Sequence, residues 1–218
     1  MLVRPGVLAA LVALLLALGG ATPAASNPSL VRSSFYVVRP DPRLCPSPLC
    51  GGYWVARANH ARTRCHDGLL RPRCYVANAV DEDRQPLTRG VSDGALARAT
   101  IESRSFEGLG QLGVLVVAGV FSPAGRAPPS GRFFRLVETG IRCIRAPCFS
   151  IRASQLNRSS RTTLSGVEVV GAVSEWLVFR IETALRTKNG VLAQGRIVAS
   201  SDGGREFRAT RFFLRSES

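Results

Sequence analysis

Phe35-Tyr36-Val37-Val38-Arg39-Pro40-Asp41-Pro42-Arg43-Leu44-Cys45-Pro46-Ser47-Pro48-Leu49-Cys50-Gly51-Gly52-Tyr53-Trp54-Val55-Ala56-Arg57-Ala58-Asn59 is the stretch whose reading decides the fold. Its first four residues are aromatic and β-branched, which favours a strand. Pro40, Pro42, Pro46 and Pro48 then forbid regular structure until Gly51-Gly52, after which Tyr53 to Asn59 reads as a second strand. The unit is therefore a hairpin, with Cys45 and Cys50 placed across from each other where an antiparallel pair meets disulfide geometry.

The same construction recurs 98 residues later, without a gap. Phe35 falls on Phe133, Tyr36 on Phe134, Val38 on Leu136, Cys45 and Cys50 on Cys143 and Cys148, and Asn59 on Asn157. The chain reads as an internal duplication. After the hairpin the first copy carries an arginine-rich insertion, His60 to Cys74, where the second has only Arg158 to Thr162. Further on, Tyr75–Val80 resembles Val167–Val173, and Leu96–Glu102 parallels Trp176–Glu182 through a shared Ile-Glu pair. Gly113–Phe121 and Gly190–Val198 read as the returning strands, with Lys188-Asn189-Gly190 as a hairpin turn. Arg211-Phe212-Phe213 echoes Arg132-Phe133-Phe134 at the end of the chain.

Frequent turns and the absence of a clear helical period point to an all-β protein of two tandem, related antiparallel units, each sandwich- or barrel-like. The expected division is a signal peptide (1–26), a tether (27–34), a first unit (35–125), a short linker (126–131) and a second unit (132–218).

Export follows from the first two dozen residues. Arg4 supplies a positive start, Val7 to Leu18 an apolar run, and Ala21-Thr22-Pro23-Ala24-Ala25-Ser26 a small-residue cleavage region. Nothing later is apolar enough over about 20 residues to span a membrane, so a secreted or periplasmic location is expected. In that compartment an even number of cysteines implies pairing. Short spacing favours Cys45 with Cys50, Cys143 with Cys148 and Cys65 with Cys74, and the duplication supports it by assigning equivalent partners to equivalent cysteines.

The formal charge is +14, and Lys188 is the only lysine among 29 basic residues. This balance admits an anionic polymer as a partner, although arginines alternating with aromatics, as in Arg132-Phe133-Phe134-Arg135, also describe a half-buried strand. Cys65, His66 and Cys74 could ligate zinc, but a disulfide fits the spacing better. Glu102 and Glu182 are the best-placed pair of carboxylates for acid–base work, and His60 and His66 are the only imidazoles. Asn157-Arg158-Ser159 fits a glycosylation acceptor pattern but reads as a surface turn. No Gly-x-Ser-x-Gly, phosphate loop or free thiol is present, so no catalytic residue, metal or cofactor is assigned.

Cys-Pro-Ser-Pro-Leu-Cys-Gly-Gly-Tyr-Trp-Val, followed by Thr-Arg-Cys and Cys-Tyr-Val-Ala, resembles an exported bacterial domain family of unknown function with Cys-x4-Cys hairpin units, here duplicated. The resemblance covers residues 35 to 122 and reaches the second copy only through its Cys-x4-Cys unit. It implies a secreted bacterial setting and supplies no catalytic residues. The expected function is a non-catalytic binding or structural module. Its candidate contact residues are Pro46, Ser47, Pro48 and Leu49 in one loop and Ile144, Arg145, Ala146 and Pro147 in the other, offered to a cell-envelope protein or anionic polymer. The alternatives are a secreted hydrolase inhibitor or hydrolase presenting these rigid loops, and a polyanion-binding protein.

Overall fold

A computed structural model describes residues 33–125, 127–171 and 173–216; the segment read as a signal peptide and residues 27–32 of the tether lie outside them. The first aromatic run forms β1 (Ser34–Pro40) and the second β2 (Tyr53–Arg57), paired antiparallel with Val38 opposite Val55. The insertion folds into the two-residue strands β3 (Thr63–Arg64) and β4 (Leu70–Arg71). The first copy continues with β5 (Cys74–Val76), β6 (Asn78–Val80), β7 (Ala95–Phe106) and β8 (Gly110–Ala124). The second contains β9 (Arg132–Glu138), β10 (Ile151–Gln155), β11 (Arg161–Leu164), β12 (Gly166–Val169), the helix α1 (Glu175–Leu185), β13 (Val191–Ala199) and β14 (Arg205–Arg215).

Pairing explains how a mainly antiparallel sheet encloses two cores. In the first copy the strand order is β5-β2-β1-β7-β8, and β6 joins β8 in parallel. β5 and β6 are separated by Ala77 alone, yet they pair with opposite ends of that path, so the sheet curls round on itself. The second copy repeats the closure: β11 and β12 are separated by Ser165 alone and pair with β10 and β14. Side chains alternate across each strand, so Tyr36 and Val38 of β1 face one core with Val55, Val76 and Leu115. Phe134 and Leu136 of β9 face the other with Ala153, Leu164 and Phe207.

The duplication is legible register by register. Val38 lies opposite Val55 and Leu136 opposite Ala153; Ala97 lies opposite Val120 and Ala193 opposite Phe212; Ala79 lies opposite Leu115 and Val167 opposite Phe207. Even the irregularity is copied, at Arg98/Ala99 in β7 and Gln194/Gly195 in β13. β7 therefore corresponds to β13, and β8 to β14.

This correspondence overturns part of the reading from sequence. Trp176–Glu182, expected to be the strand matching Leu96–Glu102, lies in α1. Ser174 caps the helix by accepting a hydrogen bond from the Leu177 N–H, and Leu177 and Ile181, one turn apart, bury their side chains in the second core. Gly190–Val198 matches β7 rather than β8, and Lys188-Asn189-Gly190 joins helix to strand instead of closing a hairpin. The matching Ile-Glu pairs are a coincidence of composition.

The copies are joined in two places. The outer ends of β8 and β14 pair antiparallel, Ser122 opposite Leu214, and these are equivalent positions, so a local two-fold axis passes between them. The two expected units thus share one hydrogen-bonded sheet of twelve strands. The second joint is reciprocal. Asn59 donates through Nδ2 to the carbonyls of Phe133 (2.7 Å) and Leu156 (2.9 Å), and its Oδ1 accepts from the Phe133 N–H at 2.9 Å. Asn157 does the same toward Phe35 (2.7 Å), Ala58 (3.0 Å) and the Phe35 N–H (2.8 Å). Both asparagines sit at positive φ, 63° and 57°, a conformation asparagine tolerates better than most residues. Around them Phe35, Ala58, Leu96 and Val37 of one copy pack with Leu156, Leu192, Phe213 and Phe133 of the other.

Asn59→Ala should destabilise the protein by about 2–4 kcal/mol, at about 1 kcal/mol per hydrogen bond and about 1 kcal/mol for the left-handed backbone. Asn59→Gly, which keeps the backbone conformation, should cost less. Urea unfolding of both variants checks this; two midpoints indistinguishable from the parent protein would remove the clasp from the account.

Candidate binding loops

Each hairpin has its open end at the asparagine clasp and its clipped loop at the far end, since the loops connect Pro40 to Tyr53 and Glu138 to Ile151. The disulfides join Cys45 to Cys50, Cys65 to Cys74 and Cys143 to Cys148, with Cα separations of 5.6, 5.4 and 5.5 Å. With its sulfurs bonded to each other, the Cys65–Cys74 pair offers no thiolate to a metal.

The first loop is fixed from beneath by a cage that the sequence did not announce. Asp41, whose side chain is wholly buried, accepts from the Arg43 guanidinium at 2.9–3.0 Å and from Trp54 Nε1 at 3.2 Å. The Arg43 guanidinium lies against the rings of Trp54 and Tyr75, 5.4 and 5.2 Å from their centroids. Arg73 covers Trp54 as well, at 4.9 Å. The cage reaches into the clip: Arg43 donates to the Leu49 carbonyl at 3.0 Å and the Tyr75 hydroxyl to the Pro48 carbonyl at 2.8 Å. A Cβ at Gly52 would overlap the Val76 carbonyl, so only glycine lets the returning chain pass this close to β5.

The Arg43 hydrogen bonds hold the Asp41 carboxyl below its usual range, and the same contacts raise the Arg43 guanidinium. Burial pushes the Tyr75 hydroxyl up. The second loop is held more lightly. Arg142 bonds Glu138 at 2.6 Å, with Arg186 from the end of α1 3.7 Å away, and Thr139 donates to the Ser150 carbonyl.

Both clips present aliphatic side chains to solvent. Leu44 and Ile144 are fully exposed, at 102% and 103%, and Leu49 and Ile141 are about half exposed. Pro46, Ser47, Arg145 and Ala146 are exposed beside them, with Pro48 and Pro147 partly covered. Leu44 precedes its clip and Ile144 lies inside its own, so the two loops offer apolar contacts at different places.

The remaining sequence candidates separate. Glu102 lies in β7 and pairs with Arg84 at 3.0 Å, whereas Glu182 lies in α1; the two carboxylates are not equivalent. His60 contacts the Asn157 carbonyl at 3.0 Å. The Asn157 amide that a glycosyl group would modify has both protons engaged in the clasp. Two concavities were not anticipated. One, of about 760 Å³, lies over Val117–Val120 and Ser122–Ala124 beside the local two-fold axis, with Asp81, Glu82 and Asp83 on its lining and Arg180 and Arg215 also on it. The other, of about 430 Å³, is lined by Arg135, Arg152, Arg158, Arg161 and Lys188. Their residues come from distant strands, so no contiguous motif marks them.

A mainly antiparallel sheet with one short helix, three disulfides and clipped loops at the hairpin tips defines the class of this protein. Residues 34–218 match the family described as Domain of unknown function (DUF6748), and the chain belongs to it. The match spans both copies throughout, whereas the sequence resemblance reached the second copy only through its Cys-x4-Cys unit. No curated protein and no solved structure matches the chain. No helix among the described residues is long and apolar enough to cross a membrane.

Because the folded-state pKa of Asp41 lies below its unfolded value of about 3.9, the stability it contributes is present above that value and is lost as pH falls through the folded pKa. Asp41→Asn should therefore lower the urea midpoint at pH 7 and pH 5, and the gap from the parent protein should close below about pH 4. A gap independent of pH would show that the carboxylate charge does not hold the cage.

Proposed function

We propose that this protein is a non-catalytic, extracytoplasmic binding module whose two clipped loops dock on a cell-envelope protein. The observation that carries this reading is the full exposure of Leu44 and Ile144 on disulfide-clipped loops, the first tied down by the Asp41–Arg43–Trp54–Tyr75 cage. An exposed aliphatic side chain on a preordered loop loses little conformational entropy on docking and gains from burial. Three disulfides support a working place where thiols are oxidised. The aliphatic character of the tips favours a protein pocket over a sugar or a nucleic acid. Inhibition of a hydrolase would use the same contacts, with the enzyme as partner.

The test is photocrosslinking from Ser47 and Arg145 positions on the exported protein in its own cell envelope, compared with Leu44→Ser, Ile144→Ser and the double variant. Truncating a central contact should weaken binding about tenfold or more, so the principal crosslinked species should fall in each single variant and vanish in the double. The same variants belong in a panel of secreted proteases and glycosidases scored for inhibition and turnover. An undiminished crosslink in the double variant, whose fold is checked by circular dichroism, would overturn the proposal.

A further inference from the structure

The arginine-lined groove of the second copy is built from register. Arg135 of β9 and Arg161 of β11 both lie opposite Ser154 of β10, so their side chains leave the same face of the sheet with Cα atoms about 10 Å apart. Arg152 lies on that face one pair further along, opposite Val137. Arg158 at the clasp and Lys188 after α1 complete the lining, and no carboxylate lines it among the described residues. None of the ion pairs among the described residues involves any of these five cations. Arg158 alone has a polar partner there, donating to the Asn59 carbonyl at 3.0 and 2.8 Å.

The first copy shows that the fold does not require Arg135 or Arg152, whereas Arg161 corresponds to Arg73, which lies over the Trp54 ring. The counterparts of Arg135, Arg152 and Ser154 in the first copy are Val37, Trp54 and Ala56, in identical pairings. Val37 packs against the apolar cluster between the copies, where Arg135 instead leaves a half-buried guanidinium, 5.8 Å from the Phe35 ring centroid. Burial, with the Arg98 guanidinium nearby, pulls the affinity of Arg135 for its proton down. A cation kept half out of water without a counter-charge is costly unless something brings one.

We infer that this groove is a binding site for a tetrahedral oxyanion, a phosphate or sulfate group, held by Arg135, Arg152 and Arg161 with Lys188 at the rim. Several guanidinium forks converging from one sheet face match an anion with many acceptor oxygens and two charges better than a single carboxylate. The site is independent of the clipped loops, and binding there does not depend on their partner.

The experiment is isothermal titration of the mature, oxidised protein with inorganic phosphate, with sulfate and with chloride at matched ionic strength. Polyphosphate in a parallel arm, counted per phosphate, separates a site for the free ion from one for a phosphate-bearing chain. Phosphate or sulfate should bind at least tenfold more tightly than chloride. Arg135→Val, which installs the residue of the sister copy, should weaken that binding at least tenfold while leaving the unfolding midpoint in chloride unchanged or higher. Arg161→Ala, at an exposed position, provides the same test should Arg135→Val fail to fold, and Arg196→Ala on β13, outside the groove, should stay within twofold of the parent protein. Equal binding of phosphate and chloride, or full phosphate affinity in Arg135→Val or Arg161→Ala, would overturn the assignment.

Discussion

The reciprocal amide clasp between Asn59 and Asn157 is the constraint on which the rest depends. Each asparagine terminates its own hairpin, turns the chain through positive φ, and spends its side chain on the backbone of the other copy. A side-chain amide supplies two donors and an acceptor in a plane, so it can stand in for a stretch of missing strand. The clasp satisfies the first residues of β1 and β9, which would otherwise present unpaired groups at a sheet end. It also determines where the clipped loops go, because a hairpin held at its open end displays its closed end.

Within that frame the two copies have diverged only where the frame permits. Strand registers, the bulge and the core positions are kept, since moving any of them by one residue would turn buried side chains to the surface. The connection between β6 and β7, and between β12 and β13, is free, and there one copy has the acidic turn at Asp81–Asp83 while the other has α1. The outer sheet face is free as well. On it the first copy carries Trp54 between Arg43 and Arg73, and the second carries Arg152 and Arg135. The first copy stacks its cations on Trp54, and the second gathers Arg135 and Arg152 in a groove without a carboxylate, on strands of the same register.

The hairpins, the clips and the duplication were legible in the sequence because each is local: strand, proline loop and cysteine spacing all lie within 25 residues. What failed was alignment beyond the hairpin. The offset between copies is 98 at β1 and β2, but Ala79 corresponds to Val167, Ala97 to Ala193 and Val120 to Phe212, so it changes from one connection to the next in both directions. A shared Ile-Glu dipeptide then outweighed the true partners, Ala95-Leu96-Ala97 and Val191-Leu192-Ala193, whose two identities fall in a stretch too short to stand out. The helix is hard to read because its stripe is short, Leu177 and Ile181 with Ala184 and Leu185, while Trp176, Val178 and Phe179 beside them imitate a strand. The cage escaped for another reason: Asp41, Trp54 and Tyr75 meet only after β2 and β5 pair.

The cage also bears on what the first clip can do. A disulfide fixes the distance between two Cα atoms and leaves the carbonyls between them free to turn. Arg43 and Tyr75 remove that freedom by bonding the Leu49 and Pro48 carbonyls, and Arg43 is itself held in place by the buried Asp41 carboxylate. The second clip has no counterpart to this, because Ile141 stands where Arg43 does and Thr163 where Tyr75 does, and its support comes from Glu138 and Arg142 at the surface. Two loops of matching register thus differ in how they are held, for a chemical reason.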